Sequence, residues 1–69
     1  MINTDILQGK WKQLKGSAKT TWGKLTDDEL NQVSGDGEKL IGLVQEKYGL
    51  AREEAKQQVD EWFNRHDFN

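Results

Sequence analysis

The sequence predicts an all-α protein that folds as one small domain over residues 1–69. Apolar residues recur at the three- and four-residue spacing of amphipathic helices, and the chain contains no proline. The two halves also resemble each other at a constant offset, because Leu40 follows Leu14 by 26 positions and three further residue pairs keep that distance. Those pairs are Gly16 with Gly42, Trp22 with Tyr48, and Gly23 with Gly49. We therefore predict two pseudo-repeated α-hairpins, made from four short helices.

The first predicted helix runs from about Asp5 to Trp22 and is the longest periodic segment of the chain. Its inner face consists of Leu7, Trp11, Leu14, Ala18 and Trp22, at steps of four, three, four and four residues. Gly9 and Gly16 lie within this helix, where each costs about 1 kcal/mol relative to alanine. We expect a frayed start and a close contact with another helix at Gly16.

A corner between helices follows Trp22 and carries two capping signals. Gly23 is predicted to end the first helix, because glycine adopts the positive φ of a C′ residue at little cost. Thr26 and Glu29 have the S/T-x-x-E spacing of a capping box, in which each side chain binds the other residue's backbone N–H. The second predicted helix starts at the Thr26 cap and ends near Ser34, ahead of a Gly-Asp-Gly turn.

The second hairpin is predicted from one helix over about residues 38–48 and another over about residues 52–65. Gly49 supplies a C′ residue for the first of these helices. Ala51 precedes the other helix and lacks the side-chain acceptor of a good N-cap, a loss of roughly 1 kcal/mol, so we expect the looser turn here. The tail is expected to fray unless Phe68 folds back onto the core. The inward-facing positions are Leu40, Ile41, Val44, Tyr48, Ala55, Val59, Trp62 and Phe63.

Charge is distributed unevenly along the chain, although the net charge is only −2. Residues 1–25 hold five lysines against one aspartate, a balance of +4, and residues 26–69 hold five basic against eleven acidic side chains, a balance of −6. The basic half of one copy can meet the acidic half of another, but exposed ion pairs contribute only about 0 to 1 kcal/mol each, so we expect a monomer. The sequence has no cysteine and no apolar run of membrane-spanning length, and we expect a cytoplasmic protein without membrane insertion.

Aromatic and basic residues of the first helix form the candidate binding face. It comprises Trp11 and Trp22 together with the basic strip of Lys12, Lys15 and Lys19, and no acidic residue interrupts it. Such a face can hold the phosphates of a nucleic acid while an indole stacks on a base, or lie on anionic lipid headgroups. The alternative, which we favour, places the indoles in the core and makes the lysines the wet side of an amphipathic helix. Exposure of Trp11 and Trp22 distinguishes the two interpretations.

The sequence contains no recognisable catalytic, cofactor or metal site. The acidic residues 27–29 occupy the first turn of a helix, where carboxylates stabilise the positive end of the dipole, and no calcium-loop or zinc-helix motif occurs. We expect His66, the one histidine, to be exposed or helix-terminal without a serine or cysteine partner, because Ser17 and Ser34 lie in ordinary helical contexts. In so short a chain a deep substrate pocket would remove much of the core. We therefore predict a non-enzymatic protein without a cofactor.

Five segments of the sequence carry a resemblance to a known family. They are the stretch from Asn3 that ends in Gly9-Lys10-Trp11-Lys12, then Leu14-Lys15-Gly16, Trp22-Gly23-Lys24-Leu25-Thr26-Asp27-Asp28, Leu43-Val44-Gln45-Glu46-Lys47-Tyr48-Gly49 and Val59-Asp60-Glu61-Trp62. On these segments the chain resembles the CsbD-like family of small bacterial stress-response proteins, in its YjbJ-type branch. The resemblance covers nearly the whole chain.

The resemblance implies a soluble cytoplasmic protein, produced in quantity under general stress or in stationary phase, with no known catalytic residues, cofactor or defined partner. It also implies an all-α fold of four or five helices in which two α-hairpins pack roughly orthogonally, much as in sterile-alpha-motif-like domains. Our functional hypothesis is therefore a non-enzymatic general stress-response protein of unknown molecular mechanism. The alternative hypothesis is a weak nucleic-acid-binding module that uses the basic N-terminal helix.

Overall fold

Five α-helices make up the computed structural model, which describes residues 3–66. They are α1 (Thr4–Gly9), α2 (Trp11–Thr21), α3 (Asp27–Val33), α4 (Gly37–Tyr48) and α5 (Arg52–Asn64). No strand occurs among these residues. The prediction of an all-α protein with four or five helices is confirmed. The expected behaviour of Phe68 concerns a residue that lies outside the described part of the chain.

The first predicted helix is divided in two at Lys10, which accounts for the fifth helix. Lys10 leaves helical geometry, with φ −107° and ψ 7°, while its N–H still donates to the Ile6 carbonyl at 2.9 Å. The α1 segment has a cap of its own, because the Asn3 side chain accepts from the Ile6 N–H at 3.2 Å. A short capped helix therefore replaces the predicted frayed start. The apolar spacing gives no sign of the break, since Leu7 and Trp11 both enter the core.

A close backbone approach occurs at Gly35 and not at Gly16, so the predicted contact at Gly16 is wrong. A Cβ atom on Gly16 would meet nothing within 4 Å. At Gly35 the same atom would lie 2.5 Å from the Cα atom of Gln8. Gly35 has φ +81° and follows Ser34, the left-handed C-cap of α3 with φ +49°. The chain therefore reverses after α3 and passes directly against the backbone of α1.

The capping box at the start of α3 forms as predicted. The Glu29 N–H donates to the Thr26 hydroxyl at 3.2 Å, and the Thr26 N–H donates to a Glu29 carboxylate oxygen at 3.0 Å. Two backbone donors that the first turn of a helix leaves without an intrahelical partner are thereby satisfied. The start of α3 is accordingly fixed by local chemistry.

The two aromatic-glycine corners differ in backbone conformation, which corrects the prediction for Gly23. Gly49 ends α4 in the left-handed region with φ +64°, and its N–H donates to the Gln45 carbonyl. Gly23 is not among the glycines with positive φ. Instead, the Leu25 N–H donates to the Trp22 carbonyl at 3.0 Å and closes a turn. The aromatic-glycine pair thus adopts a different turn conformation in each of the two repeats.

Ala51 is the N-cap of α5 and makes no side-chain capping hydrogen bond, as its residue type predicts. Its backbone already has the extended conformation of an N-cap, with φ −66° and ψ 153°. We expect Ala51→Ser to raise the free energy of unfolding in urea by about 1 kcal/mol, because the hydroxyl can accept from a first-turn N–H. Ala51→Val is the matched control, since valine offers no acceptor. An equal gain from both substitutions would contradict this explanation.

All five helices contribute to one hydrophobic core. The buried residues are Leu7, Trp11, Leu14, Ala18, Trp22, Leu25, Leu30, Val33, Leu40, Ile41, Val44, Ala55, Val59, Trp62 and Phe63. Tyr48, also predicted to face inward, is partly buried and packs against this cluster. The rings of Trp22 and Trp62 meet edge to face, with centroids 5.3 Å apart and an interplanar angle of 61°. Such a pair contributes about 0.5 to 1.5 kcal/mol beyond its buried area, and here it joins the two halves of the chain.

Candidate functional site

Both indoles of the candidate binding face lie inside the core. Trp11 is 8% exposed and its Nε1–H donates to the Leu30 carbonyl oxygen at 3.0 Å. Trp22 is 3% exposed and its Nε1–H donates to Gln58 Oε1 at 3.1 Å. Each ring therefore satisfies its polar atom within the protein and presents almost no surface to solvent. Neither indole is available for stacking on a base.

Two lysines of the basic strip are bound to α3. The Lys15 ammonium donates to Asn31 Oδ1 at 2.7 Å, and the Lys19 ammonium lies 2.9 Å from a carboxylate oxygen of Asp27. The hydrogen bond and the charge of Lys19 lower the pKa of the Asp27 carboxyl below its usual value. Lys12 is exposed on α2. The structure thus keeps the three lysines near one helix surface but separates them from the two indoles, which point into the core.

A polar cluster that the sequence pattern does not predict joins α2 to the end of α5. Trp62 Nε1–H donates to the Ser17 hydroxyl oxygen at 3.1 Å, and that oxygen lies 3.1 Å from His66 Nε2. On the other side of the imidazole, Nδ1 lies 2.9 Å from the carbonyl oxygen of Trp62. A carbonyl only accepts, so the hydrogen is assigned to Nδ1. In the neutral ring Nε2 is then the acceptor, and Ser17 donates to it.

His66 therefore has a serine partner, contrary to the prediction that it would lack one. It is helix-terminal, as expected, but half-buried, and its ring meets the Trp62 indole at 5.2 Å with an interplanar angle of 69°. A weak signal exists in the sequence, because Ser17 lies one turn after Leu14 and His66 one turn after Trp62. Both positions border a buried face. Their meeting across 49 residues depends on how α5 packs against α2, which local spacing does not report.

The two corners of the fold contact each other through Tyr48. The Lys24 N–H donates to the Tyr48 hydroxyl at 3.1 Å, and the Lys24 ammonium lies 5.0 Å from the centre of the Tyr48 ring. One residue earlier, the Lys47 ammonium lies 2.7 Å from a carboxylate oxygen of Glu29, the capping-box residue. Hydrogen bonds from Lys47 and from the Thr26 N–H lower the pKa of Glu29, and the same contact with Glu29 raises the pKa of Lys47. These charged side chains thus link the turn before α3, and α3 itself, to the end of α4.

Among the described residues, neither the open groove on the surface nor the arrangement of potential metal ligands indicates a chemical reaction. An open groove between α3 and α4 is lined by Glu29, Gln32, Val33, Lys39, Gly42, Leu43 and Glu46. Its lining mixes acidic, basic and apolar side chains. Among residues 3–66, no three histidine, cysteine or acidic side chains lie close enough together to hold a metal ion. None of the helices in the same range is both long and apolar enough to cross a membrane.

Comparison with known proteins identifies relatives over almost the full length. The CsbD-like family pattern matches residues 5–57. A UPF0337 protein of Bordetella pertussis is 55% identical over 64 residues, which cover 93% of this chain and 97% of that protein. The UPF0337 protein YjbJ of Escherichia coli is 45% identical over 67 residues, covering 97% of each. A UPF0337 protein of Pseudomonas aeruginosa is 47% identical over 64 residues, covering 93% of this chain and 98% of that protein. No solved structure matches.

Proposed function

The chain belongs to the CsbD-like family, and from this we propose that it is a non-enzymatic protein of the general stress response. It works in the cytoplasm as a monomer, through its abundance and solubility or through a weak contact with another macromolecule. The names of its relatives, UPF0337 proteins, attach no activity to them. Two things support the proposal: the resemblance to stress-response proteins, and the burial of the aromatic side chains in the core.

The observation that carries the proposal is how the aromatic side chains are used. Trp11, Trp22 and Trp62 are all buried, and each indole N–H donates to an oxygen of the protein itself. Large aromatic groups that would otherwise build a substrate pocket serve as the interior of a 69-residue chain. The remaining surface is mostly charged and polar. Such a surface favours solubility over selective capture of a small molecule.

Turnover assays on the purified protein, together with its cellular level, test the proposal. We expect no multiple turnover with generic esterase, phosphatase, peptidase and acyl-transfer substrates, because the groove between α3 and α4 is lined by neither a serine nor a histidine. We also expect the amount of protein in the cell to rise on entry into stationary phase or under general stress. Catalytic turnover that a single substitution abolishes would overturn the non-enzymatic part, and a level independent of stress would overturn the rest.

Binding to nucleic acid is the second candidate, supported by the basic balance of residues 1–25 and the exposure of Lys12. Because Trp11 and Trp22 are buried, this candidate reduces to phosphate contacts by lysine. Titration with single-stranded and duplex DNA at two salt concentrations distinguishes it, since phosphate contacts weaken steeply as salt rises. Salt-sensitive binding that Lys12→Glu reduces favours this candidate. No binding at low ionic strength eliminates it.

A further inference from the structure

In the cluster of Ser17, His66 and Trp62, the serine hydroxyl lies beside a potential base, as an activated nucleophile does in proteins. The hydroxyl oxygen lies within hydrogen-bond distance of an imidazole nitrogen, and the other imidazole nitrogen is held by a third group. We propose that Ser17 is a nucleophilic modification site that takes up an acyl group from activated acyl esters. This goes beyond the proposed function, because a single covalent modification requires no turnover.

His66 is placed to act as the base for this reaction. Its Nε2 atom lies 3.1 Å from the Ser17 hydroxyl oxygen, within the reach that proton transfer requires. The hydrogen bond from Nδ1 to the Trp62 carbonyl, at 2.9 Å, fixes the ring and leaves Nε2 free of hydrogen.

Trp62 holds the same hydroxyl from its other side. Its indole N–H donates to the Ser17 oxygen at 3.1 Å and so helps to fix the direction in which the hydroxyl donates to His66. With this bond accepted and its own hydrogen donated to His66, the hydroxyl oxygen keeps one lone pair for attack. Ser17 and His66 are both only partly buried, and the proposal requires that a small ester reach the Ser17 oxygen from solvent.

The covalent step balances without any further reactant. The Ser17 oxygen attacks the carbonyl carbon of the ester and forms a new C–O bond, while its proton passes to His66 Nε2. The bond between the carbonyl carbon and the leaving oxygen breaks, and the leaving group departs as an anion. The imidazolium then releases its proton to water. The product is an acyl ester on Ser17 with a neutral His66.

The position of Ser17 also limits the reaction to activated donors. Ser17 lies within α2, where backbone N–H groups are used by the helix, so they provide no oxyanion hole for the tetrahedral intermediate. An ester must therefore have a good leaving group to react. For the same reason the acyl group is not removed rapidly, and the reaction stops at one equivalent.

The test treats the purified 69-residue protein with p-nitrophenyl acetate and follows acetylation of individual tryptic peptides by mass spectrometry. Trypsin releases Ser17 in residues 16–19, a peptide in which no side-chain amine can carry acetyl when both ends are cleaved. Ser34 is the internal control, because it is exposed and its hydroxyl donates only to the Asn31 carbonyl. We expect Ser17 to react at least about 100-fold faster than Ser34, the usual contribution of a positioned base.

Two further conditions separate a positioned base from mere exposure. His66→Gln, checked for native circular dichroism, should reduce the rate at Ser17 by about 100-fold and leave Ser34 unchanged. In concentrated urea the two serines of the unsubstituted protein should react equally, because unfolding separates Ser17 from His66. Equal rates in the folded protein, an unchanged rate in a folded His66→Gln variant, or an advantage of Ser17 that persists in urea would each overturn the proposal.

Discussion

Gly35→Ala is expected to lower the free energy of unfolding by about 2 to 5 kcal/mol. The substituted residue would have to keep φ +81°, which costs about 1 to 2 kcal/mol for a residue with a Cβ atom. The Cβ atom would also lie 2.5 Å from the Cα atom of Gln8, and because that atom belongs to the backbone, α1 must shift as a unit. Overpacking of this kind typically costs about 1 to 3 kcal/mol more. The sum is a large share of the roughly 3 to 10 kcal/mol expected for a domain of this length.

Two other glycines separate the causes of this effect. Gly49 has φ +64°, yet a Cβ atom there would meet nothing within 4 Å, so Gly49→Ala should cost only about 1 to 2 kcal/mol. Gly42 lies inside α4 with the same open space, and Gly42→Ala should raise the free energy of unfolding by about 1 kcal/mol. Urea denaturation of the three variants measures these differences. A cost at Gly35 no greater than the cost at Gly49 would mean that α1 does not lie against this turn.

Trp62→Ala is expected to have the second large effect, about 3 to 5 kcal/mol on the free energy of unfolding. The indole is 2% exposed, packs edge to face against Trp22 and donates to Ser17. Removing it opens a cavity at the place where the two halves meet. The loss also leaves the Ser17 hydroxyl without its donor.

Two substitutions serve as controls for Trp62→Ala. Trp62→Phe keeps an aromatic edge in the core and loses the indole N–H, so its cost should lie well below that of alanine. Ile6→Ala removes a large apolar side chain that is 37% exposed, and it should cost much less than Trp62→Ala. Thermal and urea denaturation report the differences. Similar costs for Trp62→Ala and Ile6→Ala would contradict the assignment of Trp62 to the interior.

The helices that the sequence predicts well are those bounded by local signals. The α3 start depends on Thr26 and Glu29, three residues apart, and the α4 end depends on the left-handed conformation of Gly49. Lys10 shows the limit of periodicity, because the four-residue step from Leu7 to Trp11 continues through a break in the helix. Local patterns report which face is apolar, but not whether the backbone stays helical along it.

Features that depend on packing between distant segments were beyond local prediction. The approach of Gly35 to Gln8 and the pairing of Ser17 with His66 join residues far apart in sequence. The candidate binding face shows the same limit, since an amphipathic helix with aromatic residues looks alike whether it covers a core or a ligand. The burial of Trp11 shows that this helix covers a core. That burial can be seen only when the position of α3, whose Leu30 carbonyl accepts from the indole, is known.

The central claim is that tryptophans from both halves of the chain share one interior, and proton NMR tests it most directly. We predict nuclear Overhauser contacts between the ring protons of Trp22 and Trp62, whose centroids lie 5.3 Å apart. We also predict slow solvent exchange of the indole N–H of Trp11, which donates to the buried Leu30 carbonyl. Absence of cross-peaks between the two rings, with indole exchange as fast as in an unfolded peptide, would contradict the account.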